Sequence, residues 1–138
     1  MNGKTQDSTP ADDEGGWDFI ARYTRAQALE DGALVDVSET AREAGIALPV
    51  ALTHAVWAEY VALSPAAEKA RNDERGRLWD ILWMFRCAVC LHRDDSEFLF
   101  ELYVVTTSVK PSLVQLHAVC GPDDDGEPVI TILMPGED

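Results

Sequence analysis

Two stretches of this chain have the residue types and spacing of a metal-ligand set: Cys87-Ala88-Val89-Cys90 and His117-Ala118-Val119-Cys120. Together they offer the two-plus-two donors of a tetrahedral zinc site. Residues three apart share one face of a helix, so Cys87 and Cys90 could chelate. Residues three apart on a strand point to opposite faces, so His117 and Cys120 could not both turn inward without a bulge. The expected role of these cysteines is therefore that of small buried hydrophobes, with no metal and no cofactor. A thioredoxin-like redox pair fits no better, because the helix start that would stabilise a thiolate falls more than two turns upstream of Cys87.

Asp123, Asp124 and Asp125 form the next candidate, within "GPDDDGEP". A calcium loop needs oxygen ligands at alternating positions and a bidentate acid several residues later, and this stretch has neither. Asp bonding its own backbone and Gly accepting positive φ are what a hairpin tip requires. The triplet therefore reads as a hairpin tip first and a contact surface second. His54, His92, His117, Ser108 and Glu101 are the remaining candidates for acid-base or nucleophilic work. No nucleophile elbow, phosphate-cradling glycine loop or His-Glu metal motif frames them. The expectation is that the protein is not an enzyme.

Charge is the strongest signal. With 25 acidic residues against 11 basic ones, the formal net charge is -14. That argues against DNA, RNA or anionic lipid as a direct ligand. Only between residues 64 and 93 do bases outnumber acids, and both flanks are strongly acidic. Duplex DNA carries one charge per ~1.7 Å of axis. The net charge spread evenly over the ~7,000 Å² of a folded chain this size is several-fold too dilute to imitate it. Imitation requires Glu30, Asp31, Asp36, Glu39 and Glu43 to gather with Asp123, Asp124 and Asp125 on one face.

The elements that must position these residues follow from periodicity and caps. The chain has 138 residues, 46% of them apolar, which suits one core and one domain. Residues 1–16 are rich in Gly, Pro, Ser and acids and read as a disordered acidic arm, with order beginning at Trp17 or Phe19 and the domain spanning 17–138. Thr24 and Gln27 have capping-box spacing for a short helix from Arg25. "ALVDV" is a small strand, and Ser38 caps a second short helix that stops at Gly45. "PVALTHAVWAEYVAL" reads as a helix opening at Pro49 with Glu59 as its only charge, and a second helix restarts at Ser64-Pro65. Its later part, "LWDILWMFRCAVCLH", is apolar nearly all round, which makes it the central helix or an oligomer seam. Trp57, Trp79 and Trp83 are placed at the core or that seam.

Beyond "RDDSE" the period changes to two. "FLFELYVVTT", "LVQLHAVC" and "VITILM" read as three strands joined by short connections, with Phe98, Phe100, Leu102 and Val104 on one face. The predicted fold is α+β: short N-terminal helices with a small strand, two largely buried helices, and a C-terminal three-stranded antiparallel meander. Three cysteines, an odd number, form no disulfide framework, and no leader or apolar run of about 18 residues is present. A cytoplasmic protein with no membrane contact is expected.

The blocks "YTRAQALEDGALVDVSETAREAGIALPVALTHAVW", "GRLWDILWMFR" and "GEPVITILMPGED" together resemble a family of small bacterial proteins, a domain of unknown function, carried on plasmids, phages and other mobile elements. The resemblance covers about residues 20–138 and brings no catalytic residues with it. Cys87 and Cys90 do not look like hallmarks of the family. Such neighbourhoods are rich in antirestriction and anti-CRISPR genes, so the resemblance implies a defence inhibitor. Combined with the charge, the leading expectation is a non-catalytic binding protein that docks on a basic surface of a host defence complex. An immunity-type protein neutralising a basic toxin is the competing class, and a metal or redox enzyme a third. Two helices without a polar face also allow a homodimer.

Overall fold

Residues 23–137 are described in the computed structural model of the chain. The expected arm at 1–16 and the expected onset of order at Trp17 or Phe19 lie outside them.

Helix α1 spans Arg25–Asp31 and begins with the capping box that its sequence requires: Gln27 N donates to Thr24 Oγ1 at 3.1 Å, and Thr24 N donates to Gln27 Oε1 at 2.9 Å. Strand β1 (Leu34–Asp36) and helix α2 (Ser38–Glu43) follow. Ser38 is the first helical residue rather than the cap. Its hydroxyl is committed elsewhere, donating to Asp36 Oδ1 at 2.6 Å and accepting from Val50 N at 3.0 Å. Gly45 does end this helix, at φ 93°.

The expected helix from Pro49 is not one helix. Val50–Thr53 form strand β2, and Thr53 then caps a short helix α3 (His54–Val56) that runs into a π-helical turn at Trp57–Val61. Val50, Ala51 and Leu52 are buried on both faces. A strand covered on both sides carries the same unbroken apolar run as a buried helix, so periodicity could not separate the two.

The second expected helix is also divided. Ser64 caps α4 (Pro65–Lys69), Arg71 adopts φ 64°, and Asp73 caps a new helix α5 (Glu74–Val89). Only one stripe of α5 is buried: Arg77, Leu78, Ile81, Leu82 and Phe85. The expectation of two largely buried helices therefore fails on both. One is half strand, and the other leaves its Trp83 side open, with Trp83 41% exposed.

Strands β3 (Glu97–Val104), β4 (Ser112–Pro122) and β5 (Pro128–Leu133) pair antiparallel in sequence order as expected. The sheet they belong to is larger, with five strands among the described residues, in the order β1-β2-β5-β4-β3. Strand β2 lies parallel to β5, Val50 opposite Ile130 and Leu52 opposite Ile132, and antiparallel to β1. The fold is thus α+β on a mixed sheet, not a lone meander.

The core lies between one face of this sheet and the layer formed by α2, the π turn and α5. Phe100, Leu102 and Val104 point into it as alternation dictates, with Phe98 half-buried at its rim. Phe85 stacks on Phe98 at 5.8 Å and meets Phe100 edge-on at 5.9 Å, which fixes α5 over β3. Helix α1 sits on the opposite face. Arg25 Nη1 donates to Thr131 Oγ1, and Thr131 alternates with the core residues Ile130 and Ile132. Trp57 and Trp79 are half-buried against the core, while Trp83 is exposed.

Candidate functional site

The aspartate triplet closes the β4–β5 hairpin, and each of its members does something different. Asp123 builds the turn, its Oδ1 accepting from Asp125 N at 2.9 Å and Glu127 N at 3.0 Å, while Gly126 takes φ 85°. Asp124 reaches away from the hairpin, and its two carboxylate oxygens accept from Arg25 N at 3.0 Å and Ala26 N at 2.9 Å. Those amides open α1 and have no partner within a helix, and a carboxylate there also meets the positive end of the helix dipole. Asp125 is exposed, and its side chain makes no hydrogen bond or ion pair among the described residues.

Beside the tip, Asp36 Oδ1 accepts from Ser38 N at 3.0 Å and from the Ser38 hydroxyl. Asp36, Asp123, Asp124 and Asp125 border one cleft of about 260 Å³, whose floor includes Val50 and Ala51. Arg25 enters the same cleft and is half-buried, its guanidinium held by Thr131 Oγ1 and the Ile130 carbonyl. Burial pulls its pKa down, while Asp123, Asp124 and Asp36 oppose that shift. Among the described residues, Arg25 is the one cation that borders this cleft, beside the four carboxylates.

The other acids singled out by sequence do not join this cleft. Glu30 is exposed near the far end of α1. Asp31 accepts from the Tyr23 hydroxyl and from Ala33 N, and both bonds hold its carboxyl below the usual range. Glu39 lies exposed in the first turn of α2, and Glu43 pairs with Arg75 of α5 at 3.0 Å.

Among the described residues, no group of three or more His, Cys, Asp or Glu converges in a way that could hold a metal ion. Cys87, Cys90 and Cys120 are all free and exposed, against the expectation that they are buried hydrophobes. Apolar sequence around Cys87 and Cys90 misled, because the open stripe of α5 is itself apolar. His117 Nε2 lies 3.0 Å from Glu97 Oε1.

Sequence reasoning missed Arg77. It is 6% exposed, and its Nε and Nη1 donate to the carbonyls of Val61 and Val105, with Nη1 also on Asn72 Oδ1. Its Nη2 is buried without a partner. Burial lowers the Arg77 pKa and raises that of Asp80, which borders the same cleft of about 160 Å³ together with Tyr60 and Tyr103. Arg77 closes the charged run "NDERGR", so its sequence context reads as solvated and gave no signal of burial.

A helix layer on one face of a five-stranded mixed sheet, with a carboxylate-lined cleft at one end, defines an acidic α+β domain. The family described as "Family of unknown function (DUF6573)" matches residues 14–138, and the chain belongs to it. No curated protein and no solved structure matches the chain. Among the described residues, no helix is long and apolar enough to cross a membrane.

Proposed function

We propose that this protein is a non-catalytic acidic binding protein of a mobile element, whose hairpin-tip cleft docks on a basic, nucleic-acid-binding surface of a host defence complex. One observation supports the reading above the others. Four carboxylates border a single cleft, and backbone amides hold Asp36, Asp123 and Asp124 in place. Carboxylates fixed before binding lose little freedom on docking and present oxygens to arginines and lysines as phosphates do. The remaining acids supply a long-range field that speeds encounter with a basic target. The setting in a mobile element and the choice of a defence complex rest on the sequence resemblance.

The test is capture from host lysate by the tagged protein across a salt series, alongside Asp125→Lys/Glu127→Lys. Neither of these side chains bonds among the described residues, so the variant should keep its structure. The expected result is a basic nucleic-acid-binding complex that is released as salt approaches ~0.5 M, where screening is nearly complete over a few ångströms. The charge-reversed variant should capture little. Capture that ignores both salt and charge reversal would sink the reading, and a co-encoded basic toxin as the captured protein would replace it with the immunity class.

A further inference from the structure

We infer that the open stripe of α5 is a seam for a second copy of this chain, packed antiparallel with Trp83 at the two-fold axis. The stripe is the part of α5 turned away from the sheet, and Gly76, Trp83, Cys87 and Cys90 along it are exposed, with Trp79 half-buried beside them. Trp79 and Trp83 stack at 6.2 Å, and Arg86 lies 5.3 Å over the Trp83 ring. The exposed Trp83 indole, stacked between the half-buried Trp79 and the Arg86 guanidinium, leaves an apolar face in water.

Its pattern suits its own reverse. Positions 76, 79, 83, 87 and 90 recur at the three-to-four spacing of a helix–helix seam. In an antiparallel pair centred on Trp83, residues equally far from it on either side stand at the same height. Gly76 then faces Cys90 and Trp79 faces Cys87, so small residues oppose the glycine and leave room for the indole. At ~100° per residue, Trp79 and Arg86 lie on the same flank of the stripe, so Arg86 of one copy meets Trp79 of the other and the ring ladder continues across the axis.

Charge selects both the place and the direction. A chain of net charge -14 resists association with itself, and the stretch from 64 to 93, which contains the stripe, is where bases outnumber acids. Asp80 and Arg86 stand three residues either side of Trp83, and neither has an ion pair among the described residues. A parallel pair would set like charges at the same height and align the helix dipoles. The antiparallel pair sets Asp80 of one copy level with Arg86 of the other, on opposite flanks of the seam, and opposes the helix dipoles. Both acidic clefts stay free, so the dimer would present two docking sites.

Sedimentation across a concentration series tests the association. The full chain should reach a dimer by roughly 100 μM, and Trp83→Glu should remain a monomer with an unchanged far-ultraviolet circular dichroism spectrum. Direction is read by cross-linking with a bismaleimide of ~8 Å span in two proteins that keep Trp83 and lack Cys87 and Cys120. Gly76→Cys with Cys90 kept should link between copies, because position 76 of one faces Cys90 of the other. The protein keeping Cys90 alone should not, since an antiparallel pair separates its two copies by about 21 Å along the helix axis. A chain that stays monomeric throughout, a Trp83→Glu dimer, or linkage through Cys90 alone would each overturn the inference.

Discussion

The carboxylate of Asp124 closes the first turn of α1 by accepting from the backbone amides of Arg25 and Ala26, which lie 99 and 98 residues earlier in the chain. Helix α1 is only seven residues long, too short to persist by its own hydrogen bonds. Its hold on the sheet depends on this cap and on the Arg25 side chain gripping Thr131 and Ile130. Asp124→Ala should therefore destabilise the protein by about 1 kcal/mol in urea denaturation. Asp125→Ala, whose side chain bonds nothing among the described residues, should stay within about 0.5 kcal/mol of the parent. Equal effects from the two would mean that the cap does not hold α1.

Tyr23 and Asp31 form a contact that pH can dissect. The Tyr23 hydroxyl donates to the Asp31 carboxylate, which lowers the Asp31 pKa and raises that of Tyr23. A depressed carboxylate contributes its stability in full above the unfolded value of about 3.9 and loses it as pH falls through the lower folded value. A raised phenol contributes below about 10 and loses its share as pH rises through the higher folded value. Carbon-detected NMR titration should show Asp31 moving back up in Tyr23→Phe. An Asp31 titration unchanged by that substitution would rule the contact out.

Arg77 ties three segments to α5 from inside: the end of the π turn through Val61, the α4–α5 link through Asn72, and the residue after β3 through Val105. Removing it strands two carbonyls that are paired only through its guanidinium fork, so Arg77→Ala should cost roughly 2–4 kcal/mol. Arg77→Lys keeps the charge but offers one compact head in place of a planar fork, and it should recover less than half of that loss. Full recovery by lysine, measured by denaturant midpoint, would show that charge rather than geometry matters here.

What could be read from sequence was whatever is settled within a few residues. Thr24 and Gln27 announce the α1 cap because both partners lie in one turn, and Phe98, Phe100, Leu102 and Val104 announce the inner face of β3 because a strand alternates. Strand β2 was illegible because burial from both sides erases alternation, and its parallel partner β5 comes from the far end of the chain, Val50 lying opposite Ile130. The hairpin-tip role of Asp123 was legible for the same local reason as the cap. Asp124 was not, since its partners lie at the other end of the sequence. The open face of α5 also escaped, because apolar residues on a solvent stripe look like core until the sheet has taken the other side.

Gly45 ends α2 at φ 93°, and a Cβ there would stand 2.8 Å from Arg86 Nε. Two costs should add in Gly45→Ala. The left-handed backbone contributes about 1 kcal/mol, and displacement of Arg86 from its place over Trp83 contributes a similar amount. The second cost vanishes when Arg86 is already alanine. A double-mutant cycle should therefore show Gly45→Ala costing about 2 kcal/mol in the parent and about half of that in Arg86→Ala. Equal costs in both backgrounds would show that the side chain yields freely and that only the backbone resists.

The three exposed thiols discriminate between a metal set, a redox pair and a seam. A zinc set containing Cys87, Cys90 and Cys120 predicts stoichiometric metal by elemental analysis and thiols that react only after chelation. A redox pair predicts a Cys87–Cys90 disulfide under mild oxidation and a loss of two thiols together. The seam predicts neither: no bound zinc and three thiols open to a disulfide reagent at low protein concentration, with Cys87 and Cys90 slowing as concentration rises. Cys120 lies at the far end of β4, outside the stripe, and should react at a constant rate throughout. Slowing that reaches Cys120 equally would point to general aggregation, because burial of one helix face cannot protect a strand that the face does not touch.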